Sequence, residues 1–429
     1  MICQIIRIKM EMIVEDIVIV GAGIAGLATS LGLHRLGVAS LVLESSEKLR
    51  VDGFGLTTWT NAWKALDALA VGHILRPQHL RLTKNVTTSL IMVQETSTTS
   101  LRGTAKHCGD IEVRCVLRQL MVEALANELP NGTVRFSSKL IAIEDSGFSK
   151  ILHLQDGTTI KTKVLIGCDG IKSVVAKWLG FRGTSFTGRY CVRGCFNNND
   201  GHRLQPSFMH FFGKGFRSGF LPCDNKTVYW FLTWTPNNEE LEMAKSPNKM
   251  KQFVLSKLEK APSDIRSIIE KTEPEDIFTA PLKYRPQWEL IRGNISKGNV
   301  CVAGDAFHPM APDLGQGGCC SLEDAVVLAR CVAQVFNRKN NDYDNNIGEE
   351  KEKDLYKRVE AALEKYANER KWRSIDISVT SLVVGFIQQG DLDFVSHLRD
   401  KYLASFLAHL MVNKSDFDCG RLNIVTPYS

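Results

Sequence analysis

Six residues near the N-terminus carry three glycines at a spacing that has chemical consequences. The sequence Gly21-Ala-Gly-Ile-Ala-Gly26 places glycine at the first, third and sixth positions. In such a motif the first glycine permits a tight turn, the second lets a pyrophosphate approach the backbone, and the third lets a helix pack closely on a strand. Glu44 follows 18 residues after Gly26 and could accept hydrogen bonds from a ribose. The combination predicts a dinucleotide site rather than a purely structural glycine turn.

The elements around these glycines are those that such a site requires. The run 16–20 predicts a buried strand, 27–36 predicts a helix that stops at Gly37, and 40–44 predicts a second strand. The helix N-terminus would then offer unpaired N–H groups and a positive dipole end to phosphates. Because glycines interrupt the uncharged stretch 17–33, we interpret it as strand, turn and helix and not as a membrane span.

Only one unit of this kind is predicted. The other glycine-rich pieces, 52–55 and 213–215, do not lie between a hydrophobic strand and a helix. This disfavours a reductase that holds FAD and a nicotinamide cofactor in two separate Rossmann domains.

Two later segments place an aspartate beside a glycine at the end of a buried strand. Residues 164–173 read VLIGCDGIKS, and residues 304–318 read GDAFHPMAPDLGQGG. The second segment is followed by Glu-Asp-Ala at 323–325. Ligands bind at the carboxyl ends of strands in open α/β sheets, where both segments would lie. Either segment alone could be an ordinary strand-terminating turn. Both in one chain, with the βαβ unit, favour a single shared ligand.

In this order the three segments resemble those of the single-component (class A) FAD-dependent aromatic-ring monooxygenases, the family of para-hydroxybenzoate and salicylate hydroxylases. The last motif, with TTWTNAWKALDAL around Trp59, is most similar to the plant salicylate-hydroxylase-like monooxygenases. The resemblance runs from about Ile13 to the C-terminus. It implies FAD as cofactor and NADH or NADPH as electron donor. It also implies hydroxylation of a small aromatic, phenolic acid-like substrate by O₂ through a flavin C4a-hydroperoxide.

The resemblance further implies cofactor-binding roles for residues that match the family motifs by position. Glu44 would contact the adenosine ribose, Arg50 and Arg118 would lie near the phosphates and ribityl chain, and Asp305 would hydrogen-bond that chain. The glycines of the first motif would face the pyrophosphate, and the residues around 312–317 would lie beside the isoalloxazine ring. The full predicted set is Gly21, Gly23, Ile24, Ala25, Gly26, Glu44, Arg50, Arg118, Asp169, Gly170, Asp305, Pro312, Gly315, Gln316 and Gly317.

One departure from the family pattern concerns the nicotinamide cofactor. The middle motif, whose Asp169 and Gly170 are implicated in both FAD and NAD(P)H binding, commonly reads DGxxSxxR. Here Ala176 occupies the arginine position and Lys177 comes one residue later. Lys177 could offer a point charge, but without the bidentate fork of arginine.

No residue is predicted to be catalytic, and no metal site is predicted. Neither a nucleophilic triad nor a metal-ligand cluster stands out, which fits chemistry carried by a flavin. His308 lies within the flavin motif, so we favour a packing role for it over a directly catalytic one. The 12 cysteines include no CxxC pair, and many lie in apolar runs, which favours reduced thiols in an intracellular protein.

The rest of the chain predicts an α/β fold with three regions. A discontinuous Rossmann-like FAD-binding domain would comprise 13–83, 108–186 and 285–337, a mainly antiparallel substrate domain 84–107 and 187–284, and a C-terminal helical region 338–429. Within the first domain, period-two alternation over 134–166 predicts an antiparallel meander. Helices are predicted over about 61–69, 116–129 and 321–335, and from about 354 onward.

The inserted sheet should form the roof of the substrate pocket. Its candidate pocket residues are Arg193, His210, Arg217, Tyr229 and Trp230. Arg217 could pair with a substrate carboxylate or phenolate. Alternating aromatic residues in a sheet also fit simple core packing, so none of the five joins the predicted site.

Composition narrows the class of protein. With 429 residues, 44% hydrophobic and 23% charged, the chain is ordinary for a soluble globular protein of two or three structural units. The net charge of +6 is scattered in both signs, so no nucleic-acid partner is predicted. The N-terminal MICQIIRIKMEM lacks the continuous apolar core of a secretory signal, and we expect a cytoplasmic protein whose first dozen residues are unexplained.

Two other functions stay open at this point. An FAD-dependent epoxidase of an isoprenoid alkene would share the flavin motifs, and a roomy apolar pocket with membrane association would favour it. A flavin-binding sensor or interaction protein without turnover is the other alternative, because the departure at Ala176 could impair flavin reduction.

Overall fold

The structure is a computed structural model that describes residues 12–50, 54–101, 111–337, 348–390, 396 and 398–424. Most of the N-terminal extension and part of the glycine-rich piece 52–55 therefore lie outside the described residues. Within those ranges, no helix is both long enough and apolar enough to span a bilayer.

Three sheets organise the described chain. The strands are β1 (Ile13–Val20), β2 (Leu41–Leu43), β3 (Gly55–Thr58), β4 (Lys84–Ser89), β5 (Gln94–Ser100), β6 (Arg114–Leu117), β7 (Val134–Arg135), β8 (Leu140–Ser146), β9 (Ser149–Leu154), β10 (Thr159–Gly167), β11 (Ser185–Asn197), β12 (Ser207–Phe212), β13 (Phe216–Pro222), β14 (Thr227–Trp234), β15 (Ile277–Tyr284), β16 (Ser296–Lys297) and β17 (Val300–Val302).

The helices fall between the strands and after the last of them. They are α1 (Ile24–Arg35), α2 (Thr60–Ala68), α3 (Gly72–Leu75), α4 (Arg118–Asn127), α5 (Val174–Trp178), α6 (Asn238–Met243), α7 (Pro247–Lys257), α8 (Ser263–Lys271), α9 (Gln287–Arg292), α10 (Gly317–Phe336), α11 (Gly348–Gln388) and α12 (Ala404–Lys414).

The first sheet has the order β16-β17-β10-β1-β2-β7, with β9 and β8 added in turn on the N-terminal part of β10. From β17 to β7 all neighbours are parallel, so the carboxyl ends of β1, β2, β10 and β17 meet at one edge. Strands at the centre of a parallel sheet are buried on both faces, which explains the continuous apolar runs of β1 and β10. That edge is where the three sequence motifs come together.

The second sheet has the order β15-β11-β14-β13-β12-β4-β5. All its neighbours are antiparallel except β12 and β4, which are parallel. One face packs against α7 and α8 around a separate apolar core that includes Trp230, Phe220 and Ile269. A third, two-stranded sheet pairs β3 with β6.

The predicted fold class is confirmed: a mixed α/β structure with a largely antiparallel second sheet and C-terminal helices. Two predicted elements were wrong in detail. β7 is not part of an antiparallel meander but pairs in parallel with β2, because a two-residue strand is too short to show a period. Helix α10 begins at Gly317, earlier than predicted, since glycines are poor helix formers and hid its first turn in the sequence.

Candidate functional site

A single cavity of about 990 Å³ contains most of the residues selected from the sequence. Its walls come from the carboxyl edge of the first sheet on one side and from β11 to β15 of the second sheet on the other. We call it the main cavity. Every predicted cofactor-binding residue lines it except Gly26 and Gln316.

The three glycines of the first motif have three different surroundings. Gly21 has φ of +102°, and a Cβ there would lie 2.5 Å from the carbonyl oxygen of Cys168. A Cβ at Gly26 would collide with the carbonyl oxygen of Gly21, so this position serves the packing of α1 on β1 and not the cavity wall. Gly23 lines the cavity and has no heavy atom within 4 Å of its Cβ position. The opening at Gly23 could admit a pyrophosphate at the start of α1.

Glu44 ends β2 with its carboxylate held by the backbone around it. Ala22 N–H donates to Oε2 at 2.9 Å, and Ser46 N–H donates to Oε1 at 2.9 Å. Arg50 Nη2 lies 3.8 Å from Oε1. Burial alone would raise the pKa of Glu44, but the two amides and the Arg50 charge bring it below its ordinary value. The carboxylate is therefore ionised and oriented, and its remaining lone pairs suit a ribose diol.

Two aspartates face the cavity from the ends of β10 and β17. Asp169 Oδ2 accepts a hydrogen bond from Val174 N–H at 2.7 Å, while its buried Oδ1 has no partner. Asp305 opens onto the cavity. Desolvation by the surrounding protein raises the pKa of Asp305, although the charges of His308 and Arg118 act in the opposite direction. An unpartnered carboxylate oxygen inside a protein calls for a hydrogen-bond donor. The hydroxyl groups of a ribityl or ribose chain would supply such donors.

The loop between β17 and α10 closes the floor of the cavity. Pro312, Gly315 and Gly317 line it, and Gly315 has φ of +65°. Gln316 is 1% exposed and its Oε1 accepts a hydrogen bond from Asn61 Nδ2 at 2.8 Å. Its side chain therefore anchors the loop from behind.

A buried ionic cluster lies beneath this loop, and the sequence indicated its Glu323-Asp-Ala segment but not the arginine that pairs with it. Arg370 Nε donates to Asp324 Oδ1 at 2.7 Å, and its Nη2 donates to Glu323 Oε2 at 2.5 Å. His308 is fully buried, with Nε2 2.7 Å from Asp324 Oδ2. Burial would raise the pKa of Asp324, but the charges of His308 and Arg370 lower it to about 2. His308 does not line the cavity, so it positions the loop, as the packing interpretation expects.

The roof of the cavity contains three of the five candidates from the second sheet: Arg193, Arg217 and Tyr229. Trp230 lies in the core behind the sheet, where its Nε1 donates to Thr272 Oγ1 at 3.0 Å. His210 is 2% exposed, and its ring lies 3.8 Å from that of Phe208 between centroids in a tilted arrangement. Burial beside Arg217 lowers the pKa of His210 to about 3. Both belong to the packing of the sheet rather than to the pocket.

Arg217 is not available to a substrate in the way the sequence suggested. Its Nη1 donates to the carbonyl oxygen of Asp313 at 3.1 Å and to Gln388 Oε1, and its Nη2 lies 3.6 Å from Asp313 Oδ1. The same carboxylate is held by Arg189. Arg193 has no carboxylate partner among the described residues, and its buried Nε has no hydrogen-bond acceptor. Arg193 is therefore a roof cation that lacks a carboxylate counter-ion in the part of the chain that the structure describes.

The basic residue of the middle motif also differs from the expected one. Lys177 is exposed on α5 and does not line the main cavity, and Ala176 beside it is 2% exposed. Lys172 lies five residues earlier, in the turn after β10, and lines the cavity. The sequence did not single out Lys172, because this residue lies four positions before the arginine position of the family motif.

Comparisons with known proteins give the family context. Residues 15–345 match the family model described as an FAD binding domain. The chain is 49% identical to Monooxygenase 2 of Arabidopsis thaliana over 95% of this chain and 98% of that protein. It is 34% identical to Monooxygenase 1 of the same plant, over 95% and 99% of the two chains. The fold is similar to that of Klebsiella pneumoniae HpxO complexed with FAD and uric acid, with a TM-score of 0.78 at 20% identity, over 95% of this chain and 96% of that one.

Proposed function

This chain belongs to the FAD binding domain family and is an FAD-dependent monooxygenase, and from that premise we propose that it uses NADH or NADPH and O₂ to hydroxylate a small aromatic acid. When bound, FAD supplies the redox and oxygen chemistry, and the protein supplies binding, orientation and exclusion of water. The substrate class rests on the roof of the main cavity.

We assign the cofactor to the half of the cavity nearest the first sheet. Glu44 would accept hydrogen bonds from the adenosine ribose, the opening at Gly23 would take the pyrophosphate, and Asp305 would accept from the ribityl hydroxyls. The charge of Arg118 is close enough to Asp305 to oppose the rise in the pKa of Asp305. Arg118 Nη1 donates to the carbonyl oxygen of Arg50 at 2.6 Å. These groups line one cavity, as the binding of a single dinucleotide requires.

The observation that carries the substrate class is the guanidinium of Arg193, which lines the roof and has no carboxylate partner among the described residues. A half-buried cation without a counter-ion in a cavity favours an anionic ligand, and arginine binds carboxylates in a two-point geometry. Phe208 and Phe231 line the same roof, and Arg217 lies over the Phe231 ring at 5.2 Å from its centroid. A cation beside aromatic walls suits a benzoate-like molecule.

The same roof does not favour an isoprenoid alkene. Two arginines, Arg193 and Arg217, face a space that such a substrate would fill with hydrocarbon. Desolvating a guanidinium without a partner is unfavourable, so an epoxidase of this kind would be expected to carry apolar residues there.

The test is substrate-stimulated NAD(P)H oxidation by the FAD-loaded protein, with phenolic acids, their amides and neutral phenols compared and the products identified by mass spectrometry. Arg193→Met should raise the KM for the acids about tenfold to a hundredfold and leave the KM for the amides almost unchanged, because a charge-assisted hydrogen bond is lost. Arg182→Met is the matched control, since the Arg182 side chain is 88% exposed. Equal stimulation by acids and amides in the parent protein would contradict the proposed substrate class.

A further inference from the structure

The outer surface of helix α11 changes character halfway along its length. From 349 to 369 the exposed positions are charged or polar, with one alanine as the exception. From 372 to 386 the exposed positions are Trp372, Asp376, Val379, Val383 and Phe386. We call these five residues the α11 stripe. Its four apolar side chains are 39–75% exposed. A surface helix normally turns charged and polar residues to water, so the stripe has the composition of a face that another molecule covers.

Helix α12 runs antiparallel beside this half of α11. At one end Lys414 Nζ lies 2.6 Å from Asp376 Oδ1, and at the other Arg399 Nη1, just before α12, donates to the carbonyl oxygen of Gln388 at 2.8 Å. Phe406 precedes Lys414 by eight residues and is 60% exposed. Because both helices rise about 1.5 Å per residue, Phe406 lies beside the second half of the stripe. The exposed apolar surface therefore extends from α11 onto α12.

The inner face of α11 at the same level holds the loop of the main cavity. Ser381 Oγ donates to the carbonyl oxygen of Ala311 at 2.6 Å. A Cβ at Gly385 would collide with Asp313 Oδ2 and Arg189 Nη1, so the α11 backbone packs directly on this ion pair. The stripe faces away from these contacts. A molecule that covers the stripe therefore leaves the main cavity open.

We propose that the stripe is the contact surface between two copies of this chain, packed as antiparallel helices about a two-fold axis at Val379. Successive stripe positions are four and three residues apart in alternation, which is the spacing at which two helices pack along a shared seam. Trp372 and Phe386 lie seven residues on either side of Val379. In the antiparallel pair each Trp372 therefore packs on the partner's Phe386, and the two Val379 side chains meet at the axis. This interface does not depend on the reaction proposed for the main cavity.

Charge and area both favour a second copy as the occupant. The one ionisable group of the stripe, Asp376, is neutralised by Lys414 of its own chain, so the stripe does not repel its own copy. A helix that binds a lipid surface carries lysine or arginine beside its apolar residues, and the exposed positions from 372 to 386 include neither. At about 150–250 Å² per aromatic side chain, the stripe with Tyr402 and Phe406 exposes on the order of 700 Å². Each partner of a standard interface buries about 800 Å².

The experiment is sedimentation velocity of the FAD-loaded protein over about a hundredfold range of concentration. The parent protein should sediment as a dimer at the upper end and dissociate on dilution. Trp372→Lys and Phe386→Glu should each abolish the dimer, because a charge then faces an aromatic ring in the seam. An equimolar mixture of the two variants should restore it. In the mixed dimer the new ammonium faces the new carboxylate, and the other Trp372–Phe386 contact is intact.

Ala361→Lys is the matched control for the added charge, at an exposed position in the first half of α11, and it should dimerise as the parent does. Bound FAD, measured by its absorbance, reports the folding of every variant. Trp372 and Phe386 are both at least 67% exposed, so their replacement should leave the FAD content unchanged. Phe386→Ala adds no charge and should weaken the dimer about tenfold through the lost ring contact.

A parent protein that stays monomeric at every concentration overturns the interface, and so does a dimer that none of the three stripe substitutions weakens. Failure of the mixture to restore a dimer overturns the antiparallel arrangement. Vesicles of phosphatidylcholine and phosphatidylserine test the other occupant. A monomeric parent protein that sediments with these vesicles, while Trp372→Lys does not, would assign the stripe to a membrane and overturn the second copy. A dimer that behaves as expected while no aromatic acid is hydroxylated supports the interface and overturns the proposed function instead.

Discussion

His308 Nε2 lies 2.7 Å from Asp324 Oδ2, and this contact joins the loop after β17 to helix α10 beneath the main cavity. The same oxygen accepts a hydrogen bond from Gly304 N–H at 2.8 Å, and Arg370 of α11 donates to the other oxygen. One fully buried carboxylate therefore connects the start of the loop after β17 with helices α10 and α11. Its position explains how a glycine-rich loop can present Asp305 and Pro312 to the cavity in a fixed arrangement.

Replacing this carboxylate should destabilise the fold. In Asp324→Asn the side-chain volume is kept, but Arg370 loses one of its two buried counter-ions, and such losses amount to about 3–5 kcal/mol. Thermal unfolding of the FAD-free protein measures the effect as a fall of several degrees in Tm. Asp376→Asn breaks the surface pair with Lys414 and should lower stability by about 1 kcal/mol or less. Equal effects of the two substitutions would contradict the role of the cluster.

Ionisation of Asp324 should contribute to the pH dependence of the free energy of unfolding. Its pKa in the folded protein is about 2, below the ordinary value of 3.8. Its ionised form therefore stabilises the fold fully above about pH 4, and this contribution is lost as pH falls from there towards 2. In urea unfolding between pH 5 and 2.5, the stability difference between the parent and Asp324→Asn should shrink towards the acid end. A difference that stays constant would rule out the linkage.

Features of the fold and site that involve residues close together in sequence could be predicted, whereas contacts between residues far apart in sequence could not. The turn at Gly21 and the position of Glu44 on the cavity wall follow from one short βαβ unit, so local rules sufficed. The partners of Arg217 and Arg370 could not be predicted, because Asp313 is 96 residues from Arg217 and Glu323 is 47 from Arg370. The choice between Arg193 and Arg217 depended on which one finds a carboxylate in the folded chain.

The glycines of the first motif should respond differently to the same substitution. Gly23→Ala places a methyl group in open space on the cavity wall, so the FAD-free protein should keep its stability and bind FAD at least about tenfold more weakly. Gly26→Ala should lower stability itself, because the methyl group meets Gly21. Thermal unfolding with FAD titration separates the two effects. Gly183→Ala is the control, as its Cβ also meets open space but outside the cavity.

Asp305→Ala should deplete the protein of FAD with little change of fold. Asp305 is exposed and lines the cavity, and loss of a charge-assisted hydrogen bond weakens binding about tenfold to a hundredfold. Fluorescence titration with FAD measures the affinity. The exposed Asp200→Asn variant, away from the cavity, should bind as the parent does. Unchanged affinity in Asp305→Ala would remove this residue from the cofactor site.

Two lysines of the middle motif, one on the cavity wall and one outside it, test where the electron donor NAD(P)H binds. Lys172 lines the main cavity and Lys177 does not. Lys172→Ala should slow flavin reduction at low NAD(P)H by roughly tenfold and leave FAD content unchanged, because a contact to the donor's phosphates is lost. In Lys177→Ala the flavin should be reduced at the same rate as in the parent protein. Stopped-flow traces in which only the Lys177 variant is slow would reverse the assignment.

The central claim is that the main cavity holds an aromatic acid where oxygen from O₂ is inserted into it. The most direct measurement is turnover of the FAD-loaded protein under ¹⁸O₂ with NAD(P)H and a panel of phenolic acids, followed by mass spectrometry of the products. We predict one ¹⁸O atom in a hydroxylated acid, with yield strongly reduced in Arg193→Met and normal in Arg182→Met. NAD(P)H oxidation that yields only peroxide with every acid, or a product whose oxygen comes from water, would contradict the account.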